Sequence, residues 1–253
     1  MLNTFISSVN QLESVSLQDL DSVSLLNRID SKYTLPVSTL NEVVACLKDN
    51  YYVLEIDGKR VFTYENNYFD TPDLQFYRDH HNGYLSRMKV RCRRYVESDL
   101  SFFEIKKKEK INRTNKHRVT IEEMPDQLDE YQVKAVRDRS RKELRELELI
   151  LKNNFNRITF VNRQFTERVT LDFNLMFQND DRKIGLEEIV IFEVKQSKSD
   201  SSSAITTFFK QKNFKQQSFS KYVYGVINLK PSVKQNNFKP LIKTVSNLKM
   251  GVI

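Results

Sequence analysis

Lys and Arg recur at every second position in three neighbouring stretches of this chain. Residues 88–96 place Lys89, Arg91, Arg93 and Tyr95 opposite Met88, Val90, Cys92, Arg94 and Val96. Residues 103–108 place Glu104, Lys106 and Lys108 opposite Phe103, Ile105 and Lys107, and residues 116–121 place Lys116, Arg118 and Thr120 opposite His117, Val119 and Ile121. Alternate side chains of a strand point to opposite faces of its sheet. Each stretch therefore predicts a strand with a cationic face backed by a mostly apolar one. Rows of cations on a rigid sheet suit a polyanion, and the chemistry they offer is neutralisation and alignment of phosphates.

Three further runs extend the pattern. Arg28, Asp30, Lys32 and Thr34 alternate with Ile29, Ser31, Tyr33 and Leu35. Arg168, Thr170, Asp172, Asn174 and Met176 alternate with Val169, Leu171, Phe173, Leu175 and Phe177. Glu193 and Lys195 lie opposite Val190, Phe192 and Val194. Solvated faces usually interleave both signs, whereas cations dominate here. Two like charges 4 Å apart repel by about 1 kcal/mol in water and about 4 kcal/mol at an effective dielectric near 20, so a dense cluster implies an anion among them. A carboxylate in such a place repels phosphate unless a divalent metal lies between. Glu193, with Glu104, Asp30 or Asp172 nearby, suits Mn²⁺ or Mg²⁺, the phosphates and water completing the shell. Asp172 is better read as orienting an Arg.

These rows need elements to hold them. Bulky Phe, Leu, Ile and Val opposite the charges require helices packed on that face, and amphipathic stretches are available at 38–48, 126–154, 204–212 and 220–229. The first 26 residues read as one or two short helices, capped by Ser16 or Asp21, and Ser38 reads as the cap of the 38–48 helix. The 126–154 helix carries Val133, Val136, Leu144, Leu147 and Leu151 as its stripe, with a break near Arg139. Asp57-Gly58 reads as a turn between strands 51–56 and 60–69, and residues 158–164 read as a further strand. The segment after Pro231 is basic and sparse, and reads as a partly mobile tail. The fold class expected is α+β: an eight-stranded antiparallel barrel with a charged bore and helices outside. One domain spanning 1–253 is expected.

Composition narrows the partner. The chain has 253 residues and a net charge of +8, which points to an acidic ligand. It contains only 5 Gly and no phosphate-binding Gly-rich loop, so a nucleotide would be held without one. Cys46 and Cys92 read as free buried thiols rather than a disulfide or zinc site. No secretory leader is recognised at the N-terminus, and no apolar run reaches the roughly 20 residues of a membrane helix, so a cytoplasmic protein without a membrane segment is expected.

The motifs resemble those of the VTC domain, the polyphosphate polymerase module of the triphosphate tunnel metalloenzyme superfamily. They are Arg28-Ile-Asp30-Ser-Lys32-Tyr33, Tyr68-Phe69-Asp70-Thr71, Lys89-Val-Arg91-Cys-Arg93, Phe103-Glu104-Ile-Lys106, Lys116-His-Arg118, Arg168-Val-Thr170-Leu-Asp172, Phe192-Glu193-Val-Lys195 and Phe219-Ser220-Lys221-Tyr222, in the family's order over roughly residues 25–228. The resemblance implies an eight-stranded tunnel that transfers the γ-phosphate of ATP to a growing polyphosphate chain with Mn²⁺ or Mg²⁺. It assigns Lys32, Arg91, Arg93, Lys106, Lys116 and Lys221 to the reacting phosphates and Glu193 to the metal, and the charge pattern itself adds Glu104 as a second metal ligand. The resemblance makes Arg163 and Arg168 further tunnel-lining residues, and with Arg28, Lys89, Lys108, Arg118 and Lys195 of the charged faces they are read as substrate-binding. The family's eukaryotic members carry an inositol-phosphate-sensing domain and a membrane part, neither of which is expected here.

Two rivals share part of this evidence. A hydrolase of tripolyphosphate or nucleoside triphosphate would use the same tunnel with water as the nucleophile. An RNA-binding module would place aromatic side chains among its cations for base stacking, whereas Phe103, Phe173, Phe177 and Phe192 fall opposite the charges. Bare phosphates are therefore preferred to nucleic acid, and a monomer binding ATP and polyphosphate is expected. Phosphoryl transfer needs mainly charge neutralisation and alignment, so His80, His81 and His117 are given no catalytic part. Ser220 is read as a helix cap that fixes Lys221.

Overall fold

The structure is a computed structural model and describes residues 2–21, 29–109, 114–140, 142–196 and 203–251. Arg28 and most of the Ser-rich 197–203 segment lie outside the described residues. The elements run α1 (Leu2–Val9), β1 (Ser14–Val15), α2 (Leu17–Asp21), β2 (Ile29–Pro36), α3 (Leu40–Lys48), β3 (Tyr51–Leu54), β4 (Phe62–Asp70), α4 (Gln75–His81), β5 (Arg87–Tyr95), β6 (Leu100–Lys108) and β7 (Thr114–Ile121). There follow α5 (Glu130–Arg139), β8 (Glu148–Asn162), β9 (Glu167–Gln178), β10 (Lys183–Leu186), β11 (Ile189–Gln196), α6 (Ala204–Gln211), α7 (Lys221–Leu229) and α8 (Lys239–Lys249).

Eight of these strands form one antiparallel path in the order β2-β11-β9-β8-β4-β5-β6-β7. β3 and β10 pair along β8 and β9, and β1 joins β3. The path is open: among the described residues β2 and β7 do not pair, so the closed barrel expected from sequence is not formed by strand pairing. The edge of β2 is instead met by a loop, where the Gln217 N–H donates to Lys32 O at 2.9 Å. The sheet is nonetheless strongly curled. Lys106 on β6 lies near enough to Lys32 on β2 to be perturbed by it, although five strands separate them along the path.

Apolar residues on the outer face carry most of the helices, as expected. Phe5, Val43, Leu47, Ile205 and Phe209 of α1, α3 and α6 pack on Val169, Leu171, Phe173, Phe192 and Val194. Ala135 and Val136 of α5 pack with Phe76 of α4 on Val90, Cys92, Phe103 and Ile105. One helix departs from that plan. Gly225 of α7 lies so close to Leu151 and Phe177 that a Cβ would come within 2.8 Å and 3.0 Å of their side chains. Lys221 of α7 sits over Phe155, and Tyr222 stacks on Tyr68. Cross-strand partners share a face, and register puts Tyr68 with Arg91 and Phe155 with Tyr64. α7 therefore lies on the charged inner face and fills one end of the curl.

That end is apolar because of a single residue. Asn174 adopts φ 52°, and the β8–β9 register shifts there by one. Asn tolerates this left-handed conformation better than most residues, and the extra residue makes a β-bulge. Val169, Leu171 and Phe173 then pack on the outer face, while Leu175 and Phe177 pack inside against α7. The sequence alternation that placed all five on one face is broken at this point.

Two other expectations change. The helix expected over 126–154 stops at Arg139, and residues 148–154 open the long strand β8. Its stripe Leu144, Leu147 and Leu151 fits helical spacing, but pairing on both sides, to β4 and β9, decides the conformation. The tail expected to be loose forms α8, with Leu241, Val245 and Leu248 buried. Ser38 is not a cap, since residues 37–39 form a short 3₁₀ turn without a side-chain cap. Ser16 does accept from the Asp19 N–H. The Asp57-Gly58 turn forms with positive φ at both residues, yet β3 and β4 both pair with β8 and not with each other.

Candidate active site: a cation-lined groove

Three carboxylates on the inner face anchor the groove, and each is surrounded by cations. Glu104 on β6 is 2% exposed and holds Arg91 at 2.6 Å, Lys116 at 2.7 Å and Arg118 at 3.6 Å. Burial alone would raise its pKa, but Arg91, Arg93 and Lys116 bring it down to about 2. Asp172 on β9 accepts two hydrogen bonds from Arg157, at 2.6 and 2.8 Å, and pairs with Lys221. Burial opposes its charge, and Arg157 and Lys221 lower its pKa to about 2. Glu193 on β11 lies 2.8 Å from Lys32 and 3.4 Å from Lys195. Its carboxyl also stays well below the usual range, against burial, because Lys195, Lys32 and Arg157 surround it.

The cations are held as firmly. Arg93 donates to Asn66 Oδ1 at 2.9 Å and lies 5.3 Å from the Tyr64 ring centroid. Arg91 also reaches the Tyr68 hydroxyl at 3.4 Å. Lys89 donates to Ser220 Oγ at 2.8 Å, and Ser220 in turn accepts from the Val223 N–H to cap α7. The cap thus fixes the position of Lys221, as expected. Burial, then Lys106 and Lys32, push the Lys89 ammonium well below its ordinary pKa. Lys106 keeps solvent access yet lies deep in the curl, and protein crowding followed by Lys32 lowers its pKa. Burial lowers that of Lys221 to about 8, although Asp172 beside it pulls the other way.

The groove thus collects Lys32, Lys89, Arg91, Arg93, Lys106, Lys116, Arg118, Lys195 and Lys221 on one face. Lys108 lies further along the β6 row, opposite Arg87 and Thr114. Arg168 lies opposite Lys195 and donates to Leu20 O at 2.9 Å, at the α2 end of the groove. Arg163 does not join them. It pairs with Glu13 and donates to Asp49 O and the Tyr52 hydroxyl beyond the end of β8.

Arg157 escaped the sequence reading because the expected strand began one residue later, at Ile158. Tyr64 and Phe155 were likewise unforeseen on the charged face, where Arg93 and Arg157 lie against their rings and Arg93 also lies against that of the expected Tyr95. Phe103, Phe173 and Phe192 do lie opposite the charges, and Phe177 does not. The period-two pattern of Tyr64, Asn66 and Tyr68 was the available signal for this row.

A divalent metal fits Glu193 better than Glu104. Among the described residues no three His, Cys, Asp or Glu side chains converge. One carboxylate is enough for an ion that takes most of its shell from phosphates and water. Glu193 retains some access, at 15% of its side chain, whereas Glu104 is enclosed by three cations.

The profile of the VTC domain matches residues 27–230. No curated protein matches the chain. Among solved structures, a candidate adenylate cyclase from Vibrio parahaemolyticus is 14% identical with a TM-score of 0.46, over 78% of this chain and 97% of that one. A candidate adenylyl cyclase from Hippeastrum with a dominant triphosphatase activity is 13% identical with a TM-score of 0.46, over 80% and 96%. The PH1819 protein from Pyrococcus horikoshii is 14% identical with a TM-score of 0.41, over 78% and 98%. At such identities and scores these likenesses carry no activity to this chain. The family profile, by contrast, spans both ends of the groove from Lys32 to Lys221, and the chain belongs to the VTC domain family.

Proposed function

We propose that this chain is a metal-dependent polyphosphate polymerase, which moves the γ-phosphate of ATP to the end of an inorganic polyphosphate chain lying in the groove. The observation that favours transfer over hydrolysis is the state of the carboxylates. Glu104, Asp172 and Glu193 are each engaged by Lys or Arg and held ionised at low pKa. None stands free as a base to activate water. A polyphosphate end needs no such base, because its oxygen is already anionic. It attacks the γ-phosphorus, the bond to the β–γ bridging oxygen breaks, and ADP leaves with the electron pair. Charge neutralisation and alignment supply most of the catalysis in such transfers.

In this reading Arg91, Arg93, Lys106, Lys116 and Lys32 clamp the phosphoryl oxygens, and Lys221 holds the transferring group. Lys89, Lys108, Arg118, Arg168 and Lys195 line the approach. Arg157 and Asp172 position Lys221, and Glu104 orders Arg91, Lys116 and Arg118 instead of binding metal. Glu193 would hold Mn²⁺ or Mg²⁺, which would neutralise charge on the phosphates. The surplus of cations supports a bare phosphate chain, and no RNA is required to satisfy it. Among the described residues no helix is long and apolar enough to cross a membrane.

The test is purified protein with ATP and Mn²⁺, scored for long-chain polyphosphate, ADP and orthophosphate together. Polyphosphate matched by ADP is expected. Orthophosphate without polyphosphate would replace the polymerase with a triphosphate hydrolase.

A further inference from the structure

A cavity of about 750 Å³ lies beyond the groove, among α4, α7, α8 and residues 213–218. The two spaces share walls. Thr34 follows Lys32 on the inner face of β2 and lines the cavity. Ser220, which receives Lys89 from the groove side, lines it as well.

Its lining points to an anion. Arg87 and Lys215 contribute charge, and among the described residues no Asp or Glu contributes any. Thr34 is 4% exposed, yet its Oγ has no hydrogen-bond partner. Nδ1 of His80, another lining residue, is also buried without one. Buried polar groups are nearly always satisfied, so two orphans on residues that line one cavity mark the place of an absent partner. Burial, then Lys89, Arg87 and Lys108, hold the His80 imidazole uncharged with its pKa near 3. It can therefore turn a ring N–H to an acceptor without adding to the local repulsion.

We propose that this cavity is a second phosphoryl-anion site, joined to the groove at Thr34 and Ser220, which takes the phosphoryl groups of a linear phosphate too long for the groove alone. The proposal rests on reading the groove as a phosphate site. Free orthophosphate offers the same chemistry, so the experiment separates the two sources.

Wild type, Thr34→Val and Arg87→Gln would be titrated with tripolyphosphate, with a longer linear polyphosphate and with orthophosphate, each variant first being melted to verify its fold. The longer chain is expected to bind wild type more tightly than tripolyphosphate. Each variant should lose roughly tenfold for the longer chain, the scale of one charge-assisted hydrogen bond, and keep its tripolyphosphate affinity. Orthophosphate binding that both variants weaken would also support the site and name free phosphate as its occupant. Thr34→Val is informative because removing an idle buried hydroxyl should leave the empty protein as stable or more so. Unchanged affinities for all three ligands in both variants would overturn the proposal and leave the groove reading intact. An equal loss of tripolyphosphate would overturn it too, by assigning both residues to the groove. Failure of wild type to bind any phosphate would remove both readings.

Discussion

Individual side chains carry the sharpest expectations. Glu193 keeps more access for a metal than Glu104 does, and it also sets Lys32 and Lys195. Glu193→Gln should lower metal-dependent turnover by about 10²–10³, the scale of losing one preorganised electrostatic contact, with the melting temperature little changed. Full turnover in that variant would remove Glu193 from the mechanism. Lys221 gives a pH signature. Its pKa is lowered to about 8, so it loses its proton as pH rises through that value, while a bound phosphate would pull the pKa back up. Binding therefore takes up a proton, and tripolyphosphate affinity should fall as pH climbs above about 8. A flat profile measured by calorimetry would mean that Lys221 does not meet the phosphates. At this scale the sequence was informative. Cations at alternate positions reveal a strand and its charged face together, which is why most of the groove could be read in advance. Arg163 was misplaced because its position just past the end of β8 frees it from that alternation. Arg157 was missed for the opposite reason, a strand start set one residue late.

Elements were legible where one physical signal decided them. The Ser220 cap of α7 is local chemistry and was expected. The capping box of α5, with Asp129 and Gln132 bonded reciprocally, is equally local but was not read, the helix being started at 126. Which side of the sheet α7 occupies is not local, since its apolar residues only require some apolar surface. The bulge at Asn174 supplies that surface on the inner side, and a pattern of period two gives no warning of a one-residue slip. Asn174→Gly should be close to neutral. Asn174→Val should destabilise the fold by about 1–2 kcal/mol, because a β-branched residue resists positive φ. Denaturant unfolding of the two variants would decide this, and equal stabilities would discount the strained position. Residues 148–154 failed for a different reason. Leucines at 144, 147 and 151 satisfy a helix on paper, and only the partners on either side of β8 make a strand of the segment.

The whole molecule holds its like charges in a curl that strand pairing does not close. Self-repulsion of that kind opposes the compact state. Sodium chloride alone should therefore raise the melting temperature of the protein. Tripolyphosphate should raise it further, by about 2.7 kcal/mol of added stability at one hundred times its dissociation constant, and the gain should shrink as salt screens the contacts. A melting temperature that ignores tripolyphosphate at low salt would count against the groove as a phosphate site.

The same arrangement has a consequence at the bench. A groove so densely lined with cations is an ion exchanger of molecular size, and a cell lysate is full of polyanions to load it. The isolated protein should leave the cell with its exchanger occupied and carry bound phosphorus through purification. On a chromatographic column it would then behave as less basic than its +8 formal charge suggests, until a high-salt wash strips the groove and the missing charge returns.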